Sequence, residues 1–402
     1  MLSKDEINLL KLNHLYIKMR LIVKATISLI IFSVLLTSCI PIVELNKRGL
    51  VQSIGIDYDK KMFSVSFQIY NSTSSGSTDS SSQSNNNITV TSKGKTIADA
   101  MEKSCLKQDR KIYYKVTDVI ILGKSIINNK QVFKQTINFL NKTYMSIPNI
   151  HVAICNKKAS DIISAEIQQS MNPSNFIQDM LKNAEKQSYI PKTYLSDIVT
   201  SLNDISTSIA IPIITLKKNN DEKPEIKITG INILHNGHSV GTISVNKSKY
   251  LQLLNNKKHQ NSFSFYSKKL GLCDFSIIKK SVKISPSIKN NLPHFNINLY
   301  VESNLIENTK GLDIREFKEK TIKNMEILQK KTLTQNISTL LNYLLKDCHA
   351  DLFYFTDDIY RTNYNYWSKN KENWENIIPK ITFSLNVQTH IYRSIIEESE
   401  NY

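Results

Sequence analysis

Glycine is scarce in this sequence, and the motifs that identify common enzyme classes are missing. Only 10 of the 402 residues are glycine, which disfavours the glycine-rich loops that bind phosphate groups. There is no GxSxG, HExxH, P-loop or glycine-rich dinucleotide turn. The sequence therefore predicts no enzymatic activity, no cofactor, no metal and no catalytic residue.

The five cysteines show no spacing typical of a metal site. Cys105, Cys155, Cys273 and Cys348 are far apart, and no two cysteines form a CxxC pair. Each of the four lies among apolar neighbours, as buried free cysteines usually do. We expect four buried thiols. Disulfides form in exported proteins, but nothing in the spacing requires one.

The sequence also lacks an apolar run long enough to cross a bilayer, which takes roughly 20 residues. The run from Ala25 to Leu36 is shorter, and it follows the basic residues Lys18, Arg20 and Lys24. A basic region followed by a short apolar core is typical of a secretory signal peptide.

The residues after this core predict lipidation. The core ends in Leu36-Thr37-Ser38-Cys39, and small residues before a cysteine fit a lipoprotein signal peptidase. We predict a signal peptide at residues 1–38, or from Met19 if translation starts there, and an N-palmitoyl, S-diacylglycerol cysteine at Cys39. Two acyl chains give a stable anchor, whereas one binds only marginally. The alternatives are an uncleaved anchor or a buried helix that contains one cysteine.

Acidic residues are too few to balance the basic ones. Lys and Arg number 52 against 35 Asp and Glu, which gives a formal net charge of +17. Such a surface attracts nucleic acid or anionic lipid. Because an exported, anchored chain does not meet nucleic acid, lipid headgroups or an acidic protein are the better candidates. The lysines are scattered, however, and a generally solvated surface is the simpler interpretation.

Strand and helix patterns alternate along the chain after Cys39. Residues 50–58 and 63–70 alternate apolar and polar side chains around a polar turn, which predicts a β-hairpin. The segment 71–87 is predominantly Ser, Thr, Asn and Gly and predicts a disordered surface loop. Further strands are predicted at 88–90, 116–122 and 150–154, and helices at 97–105 with Thr96 as N-cap, 132–140, 160–165 and 175–185.

Two more units follow in the sequence. Strand patterns at 226–234 and 239–245 flank Asn236-Gly237, a turn that both residues favour because they tolerate positive φ. The remaining predictions are a helix at 247–254, strands at 276–285 and 294–302, an amphipathic helix of about thirty residues whose apolar stripe runs from Ile314 to Cys348, and a last strand at 381–391.

These patterns predict an α+β or mixed α/β fold class. We expect three unequal domains, each a mixed sheet packed with helices, since a mature chain of about 360 residues is too long for one core. The predicted boundaries are 39–205 for the N-terminal domain, 206–272 for a small sheet-rich domain and 273–402 for the C-terminal domain.

A few polar residues deserve comparison with known kinds of site. His235 and His238 flank the Asn-Gly turn, where both are expected to be exposed without a nearby ligand partner, so a metal site is not predicted. Asp57 and Asp59 fit ordinary positions in a strand and its turn.

The C-terminal region holds two further pairs. Asp357-Asp358 is expected to cap a turn. Trp367 and Trp374 are interpreted as core residues, with a binding hot spot as the alternative, because tryptophan is prominent in both settings.

Taken in order, these features resemble a known family. The residues that carry the resemblance are the predicted lipidated Cys39, Glu44-Leu45, Arg48, Gly55-Ile56-Asp57, the Ser/Thr-rich loop, Thr96 to Ala100, Thr117 to Gly123, Gly230-Ile231, Gly241, Asp358-Ile359-Tyr360-Arg361, Trp367 and Trp374. This order is similar to that of the Ger(x)C family, the lipoprotein C subunits of spore nutrient germinant receptors.

The resemblance implies a three-domain α/β body without known catalytic activity. It also implies a complex with two integral-membrane subunits of A and B type, on the outer face of the spore inner membrane. The complex would trigger germination when small nutrients bind, with the partner subunits rather than this chain as the expected binding site.

Two other classes stay open from the sequence. A solute-binding lipoprotein of a transporter would have two similar lobes around a hinge, whereas this sequence predicts three unequal units. A lipid-anchored surface enzyme would need a catalytic motif.

Overall fold

A computed structural model describes residues 4–36, 48–70, 87–144, 147, 149–165, 173–203, 208–220, 222–255 and 261–392. The chain divides into two compact units, Met1–Arg48 and Gly49–Tyr402. In the first unit, the predicted basic region and apolar core form one helix, α1 (Lys4–Leu36). No helix within the described ranges combines the length and apolar character needed to span a membrane.

A mixed sheet of nine described strands forms the first part of the larger unit. These strands are β1 (Arg48–Asp59), β2 (Met62–Tyr70), β3 (Asn87–Gly94), β4 (Lys111–Tyr113), β5 (Val119–Gly123), β6 (His151–Cys155), β7 (Ser208–Lys218), β8 (Pro224–His235) and β9 (His238–Ser244). Their order is β3-β2-β1-β5-β6-β7-β8-β9, with β4 paired to β1. The central strands β1, β5, β6 and β7 are parallel, and the outer pairs are antiparallel.

Helices cover both faces of this sheet. One face packs against α2 (Ile97–Ser104), α3 (Lys124–Ile127), α4 (Lys130–Tyr144) and α7 (Leu195–Asn203). The other face packs against α5 (Ala159–Ile163), α6 (Pro173–Lys186) and α8 (Val245–Leu254). Because side chains of a strand alternate between faces, Ile120 and Leu122 enter the first core and Val119 and Ile121 the second.

The second sheet has four described strands in the order β10-β11-β12-β13. They are β10 (Asn261–Ser267), β11 (Gly271–Lys289), β12 (Leu292–Asn308) and β13 (Thr382–Tyr392). The long β11–β12 hairpin turns at Asn290-Asn291, which both have positive φ, of 49° and 59°. The final strand β13 is parallel to β12.

One long helix, α9 (Glu319–Asn342), lies between the two sheets and ends in a π-helical turn, Tyr343–Asp347. Its side chains enter three apolar cores: Met325 at one end of the second sheet, Ile337 at its centre, and Leu340 at the nine-stranded sheet. The helix begins later than the predicted apolar stripe, because the backbone is extended at Phe317 and Lys318 and leaves Ile314–Glu316 as a separate 3-10 turn. The chain between α9 and β13 forms α10 (Phe355–Thr362), α11 (Tyr364–Asn370) and the 3-10 turns Lys371–Asn376 and Ile378–Lys380.

The mixed α/β fold class is confirmed. The nine-stranded sheet contains strands from both sides of the boundary predicted at residue 205, since β7 pairs directly with β6. The Asn236-Gly237 turn is confirmed, with φ of 52° and 71°, and so is Thr96 as the N-cap of α2. Cys39 and residues 71–86 of the predicted loop lie outside the described residues.

Candidate functional site

A buried polar network joins the β8–β9 turn to the C-terminal region. His235, the last residue of β8, is 7% exposed. Its Nδ1 lies 2.9 Å from Ser208 Oγ at the start of β7, and its Nε2 lies 2.7 Å from Glu375 Oε2. Asn236 Nδ2 donates to the other oxygen of Glu375 at 2.6 Å. These hydrogen bonds hold the β8–β9 turn against the 3-10 turn at Lys371–Asn376.

The prediction that His235 is exposed was wrong, whereas the exposed position of His238 is confirmed. The residues near His235 in the sequence do not indicate its burial, because the carboxylate that contacts it belongs to Glu375, 140 positions away. Because a carboxylate only accepts hydrogen bonds, His235 Nε2–H is the donor to Glu375.

Asp351 forms the centre of the network and is 1% exposed. Its carboxylate accepts hydrogen bonds from the backbone N–H groups of Phe353, Phe355 and Thr356 and from the Thr356 hydroxyl, at 2.9 to 3.1 Å. Burial raises the pKa of the Asp351 carboxyl, and the four donors act against that rise. The carboxylate thus satisfies the free N–H groups at the start of α10.

Two contacts close the network into a ring. The Asp351 N–H donates to Ser208 Oγ at 3.1 Å, and Trp374 Nε1–H donates to Thr356 Oγ1 at 2.7 Å. Trp374 is next to Glu375 in the chain, so the path returns to His235. Most of the ring is buried, and the Glu375 side chain is partly exposed. Losing a partner of one of the buried groups would leave a polar group unpaired away from water, which stabilises this arrangement.

An open cleft of about 660 Å³ lies beside this ring. Its lining includes Ser208, the acidic residues Asp197 and Asp358, and the basic residues Lys192 and Arg361. Burial raises the pKa of the Asp358 carboxyl, and Arg361 partly offsets it. Apolar side chains such as Leu251 and Phe353 complete the lining. Side chains of both charge signs therefore face the cleft.

Comparisons with known proteins place the chain in a family. Residues 41–216 match the model described as "Spore germination protein N-terminal domain", and residues 229–395 match "Spore germination B3/GerAC like, C-terminal". The chain belongs to the GerAC-like family of spore germination proteins. The two matches lie on either side of the β7–β8 connection and together include both sheets.

Individual GerAC-like relatives agree with this assignment. Spore germination protein B3 of Bacillus subtilis (strain 168) is 24% identical over 310 residues, covering 76% of this chain and 80% of the relative. Spore germination protein KC of the same organism is 21% identical over 325 residues, covering 75% and 77%. The crystal structure of the GerBC protein has the same fold, with a TM-score of 0.55 at 19% identity over 84% of this chain and 96% of that one.

Several residues that carried the family resemblance meet at the start of α5. Asp57 Oδ1 and Oδ2 accept the N–H groups of Ala159 and Ser160 at 2.8 and 3.0 Å. A Cβ atom at Gly123, on the neighbouring strand β5, would lie 1.9 Å from Asp57 Oδ1. Burial raises the pKa of the Asp57 carboxyl, and the two N–H donors oppose this. The Gly55-Ile56-Asp57 and Gly123 pattern therefore has a structural role that the sequence analysis did not assign to Asp57.

The second glycine pair of the GerAC-like pattern permits two close backbone approaches. A Cβ at Gly230 would lie 2.2 Å from the carbonyl oxygen of Ile243, and one at Gly241 would lie 2.5 Å from Cys348 Sγ. Gly241 thus lets the edge strand β9 meet the end of the α9 segment, where Tyr343 Oη donates to the Thr242 carbonyl at 3.2 Å.

The two tryptophans differ in their surroundings. Trp374 is 2% exposed, as expected for a core residue. Trp367 is half-buried and meets the exposed rings of Tyr360 and Tyr364, with ring centroids 4.9 and 6.1 Å away. We call Tyr360, Tyr364 and Trp367 the aromatic cluster.

The remaining predictions have mixed outcomes. Cys155, Cys273 and Cys348 are buried free thiols as expected, but Cys105 is exposed, because it follows α2 in a 3-10 turn with no buried residue. Asp357 and Asp358 lie in the first turn of α10, while Asp351 accepts the hydrogen bonds there. Within the described ranges, no three His, Cys, Asp or Glu residues converge as metal ligands would.

Ser208, Asp351 and Glu375 were missed by the sequence analysis. A usable signal existed for Asp351, since an Asp shortly before a helix often accepts its first N–H groups. The bonds from Ser208 to Asp351 and from His235 to Glu375 span 143 and 140 positions, and no local pattern encodes such pairs.

Proposed function

We propose that the protein is a lipid-anchored, non-enzymatic subunit of a spore germinant receptor complex, required for nutrient-triggered germination. The observation that carries the proposal is the match to spore germination models over both 41–216 and 229–395. In this proposal the protein couples nutrient binding elsewhere in the complex to the germination response.

The proposed anchor is the predicted S-diacylglycerol, N-palmitoyl group at Cys39. Each buried methylene contributes about 0.8 kcal/mol, so two long chains hold a protein at a bilayer without a membrane-spanning helix. The proposed location is the outer face of the spore inner membrane. Anchoring also raises the effective concentration of the protein near membrane partners, so modest contacts suffice for a complex.

The proposed partners are two integral-membrane subunits of A and B type, with the nutrient bound by those subunits. The aromatic cluster supports a partner surface, since exposed Tyr and Trp are enriched in binding hot spots. The ring from His235 to Asp351 and Trp374 supports coupling, because it joins the nine-stranded sheet to the C-terminal helices through satisfied hydrogen bonds.

A solute-binding lipoprotein is the competing proposal. Such proteins usually close two similar lobes around a ligand, whereas the described strands divide nine to four between the sheets.

Gene deletion and anchor removal test the proposal. Spores that lack the gene, or that carry Cys39→Ala, should fail to respond to at least one nutrient while a non-nutrient trigger still works. The strain must lack any other receptor for that nutrient. Cys105→Ala is the matched control, because Cys105 is an exposed free thiol of the larger unit and is not a predicted lipidation site; it should leave germination normal.

A second measurement separates the candidates. The tagged protein should co-purify with both membrane subunits from detergent-solubilised spore membranes. Normal germination of the deletion strain with every nutrient would contradict the receptor proposal and favour the transport lipoprotein.

A further inference from the structure

A groove lined by lysines runs between the start of α9 and the turn that joins β10 to β11. Its volume is about 680 Å³. The lysines that line it are Lys268, Lys269, Lys318, Lys320 and Lys331, and all five are exposed. We call this the lysine groove. Its lining contains no Asp or Glu, and the ion pairs found among the described residues do not include any of the five lysines.

The groove combines this charge with apolar surface. Met325 and Leu328 belong to the core at that end of the second sheet, and Ile327 beside them is 65% exposed. An exposed isoleucine amid lysines is typical of surfaces that meet the boundary between lipid headgroups and acyl chains. Lysine stems can cover apolar surface while their ammonium groups reach outward.

Two of the lysines occupy positions that do not favour the helix. Lys318 and Lys320 flank Glu319, the first residue of α9. The helix dipole favours acidic side chains at that end, so basic ones there reduce helix stability. Lysines at the start of α9 are favourable, however, when they contact an anionic surface.

We propose that the lysine groove docks on the anionic headgroups of a lipid bilayer and orients the protein on the membrane. The inference builds on the proposed anchor at Cys39, since a tether fixes one point but leaves the body free to turn. Flexible lysines act as point charges and fit the mobile phosphate groups of a membrane surface. The net charge of +17 agrees in sign.

Vesicle sedimentation tests the proposal without reference to germination. Four versions of the mature protein are compared, all starting at position 39 with Cys39→Ala, so that neither the signal peptide nor an acyl chain contributes. They are the parent, a groove variant with Lys268, Lys318, Lys320 and Lys331 changed to Gln, a control variant with the exposed Lys93, Lys111, Lys115 and Lys130 changed to Gln, and Ile327→Ser. The vesicles contain phosphatidylglycerol and phosphatidylcholine, or phosphatidylcholine alone.

The parent should bind the anionic vesicles and lose this binding at high salt. The groove variant should bind at least about tenfold more weakly. The control variant, whose net charge is the same as that of the groove variant, should stay within about twofold of the parent. Ile327→Ser should weaken binding less than the groove variant does. Unchanged circular dichroism and thermal midpoints would show that all four versions fold.

Equal weakening of the groove and control variants would overturn the proposal, because it would mean that only total charge matters. Full binding by the groove variant would overturn it as well. Displacement of the parent from the vesicles by millimolar inorganic phosphate at constant ionic strength would indicate a discrete phosphate site. That result would also overturn the proposal. None of these outcomes decides the receptor proposal, which germination of the Cys39→Ala and deletion strains tests separately.

Discussion

Gly123 faces the carboxylate of Asp57 at the point where two parallel strands meet the start of α5. Gly123→Ala should lower the free energy of unfolding by about 2 to 4 kcal/mol, because the new methyl group displaces Asp57 from the Ala159 and Ser160 N–H groups. Urea denaturation measures this. Gly311→Ala is the control: Gly311 has a positive φ but open space around it, so the change should cost only about 1 kcal/mol. Equal losses would contradict the role given to Asp57.

The reactivity of the four thiols should follow their exposure to solvent. Cys105 is exposed, whereas Cys155, Cys273 and Cys348 are buried, and burial raises the pKa of the Cys155 thiol to about 11. Because only the thiolate reacts, the folded protein should show one fast-reacting thiol of these four with a maleimide. Cys105→Ser should remove it. Fast labelling that persists in this variant would show that a buried thiol is accessible.

Lys280 on β11 should titrate well below an ordinary lysine. Burial lowers its pKa to about 8, and its ammonium donates to the carbonyl groups of Gln252, Leu253 and Asn255 at the end of α8. Between about pH 8 and the usual lysine pKa near 10.4, the unfolded chain binds this proton more tightly than the folded one. The contribution of Lys280 to the free energy of unfolding therefore rises with pH across that window.

Competitive acylation followed by mass spectrometry measures this titration directly. The labelling rate of Lys280 should have its midpoint near pH 8. The exposed Lys283 on the same strand is labelled in the same experiment as the reference. Coincident midpoints would contradict the predicted effect of burial.

At the scale of elements, the two tryptophans should behave differently. Trp374→Ala removes a core side chain and the bond to Thr356, and should cost about 3 to 5 kcal/mol of unfolding free energy. Trp367 is only half-buried against the same core, so Trp367→Ala should cost less, about 1 to 2 kcal/mol. If the aromatic cluster contacts a partner, Trp367→Ala should nevertheless reduce co-purification of the membrane subunits from spores. Unchanged co-purification would remove the cluster as a contact surface.

Elements with a strong local pattern were predictable from the sequence. The Asn236-Gly237 turn, the Thr96 cap and the β1–β2 hairpin depend on neighbours in the chain and are confirmed. The start of α9 was not predictable, because Ile314 and Phe317 continue the apolar spacing although the backbone between them and the helix is extended. Periodicity reports which side chains face a core and not whether the helix is continuous.

The candidate site was much less predictable than the elements that carry it. His235 appeared exposed because a hairpin tip usually is, whereas in the fold it is buried and contacts Ser208 and Glu375, which are both distant in the sequence. The same holds for the addition of β7 to β6, which extends one sheet across the predicted boundary at residue 205. Such placements depend on packing between distant segments, which a single sequence does not express.

At the scale of the whole molecule, the polar ring should control how tightly the C-terminal region is held. Glu375→Ala leaves His235 and Asn236 without their carboxylate partner, so hydrogen exchange should become faster at Asp351, whose N–H is bound to Ser208. Glu372→Ala, an exposed residue of the same 3-10 turn, is the control and should leave exchange unchanged. Equal exchange in both variants would mean that the ring does not act as a unit.

The position of β13 governs when the protein can finish folding. This last strand pairs along β12 from His294–Thr382 to Asn304–Tyr392, yet the chain between Asn308 and Thr382 separates the two strands in sequence. As the chain folds, the β11–β12 hairpin can therefore form before β13 reaches it, and the outer edge of β12 stays unpaired until then. A nonsense mutation anywhere before Thr382 leaves that edge open permanently, and an open strand edge invites aggregation. Truncated products should be insoluble and degraded, so even a late stop codon would act as a complete loss of the gene.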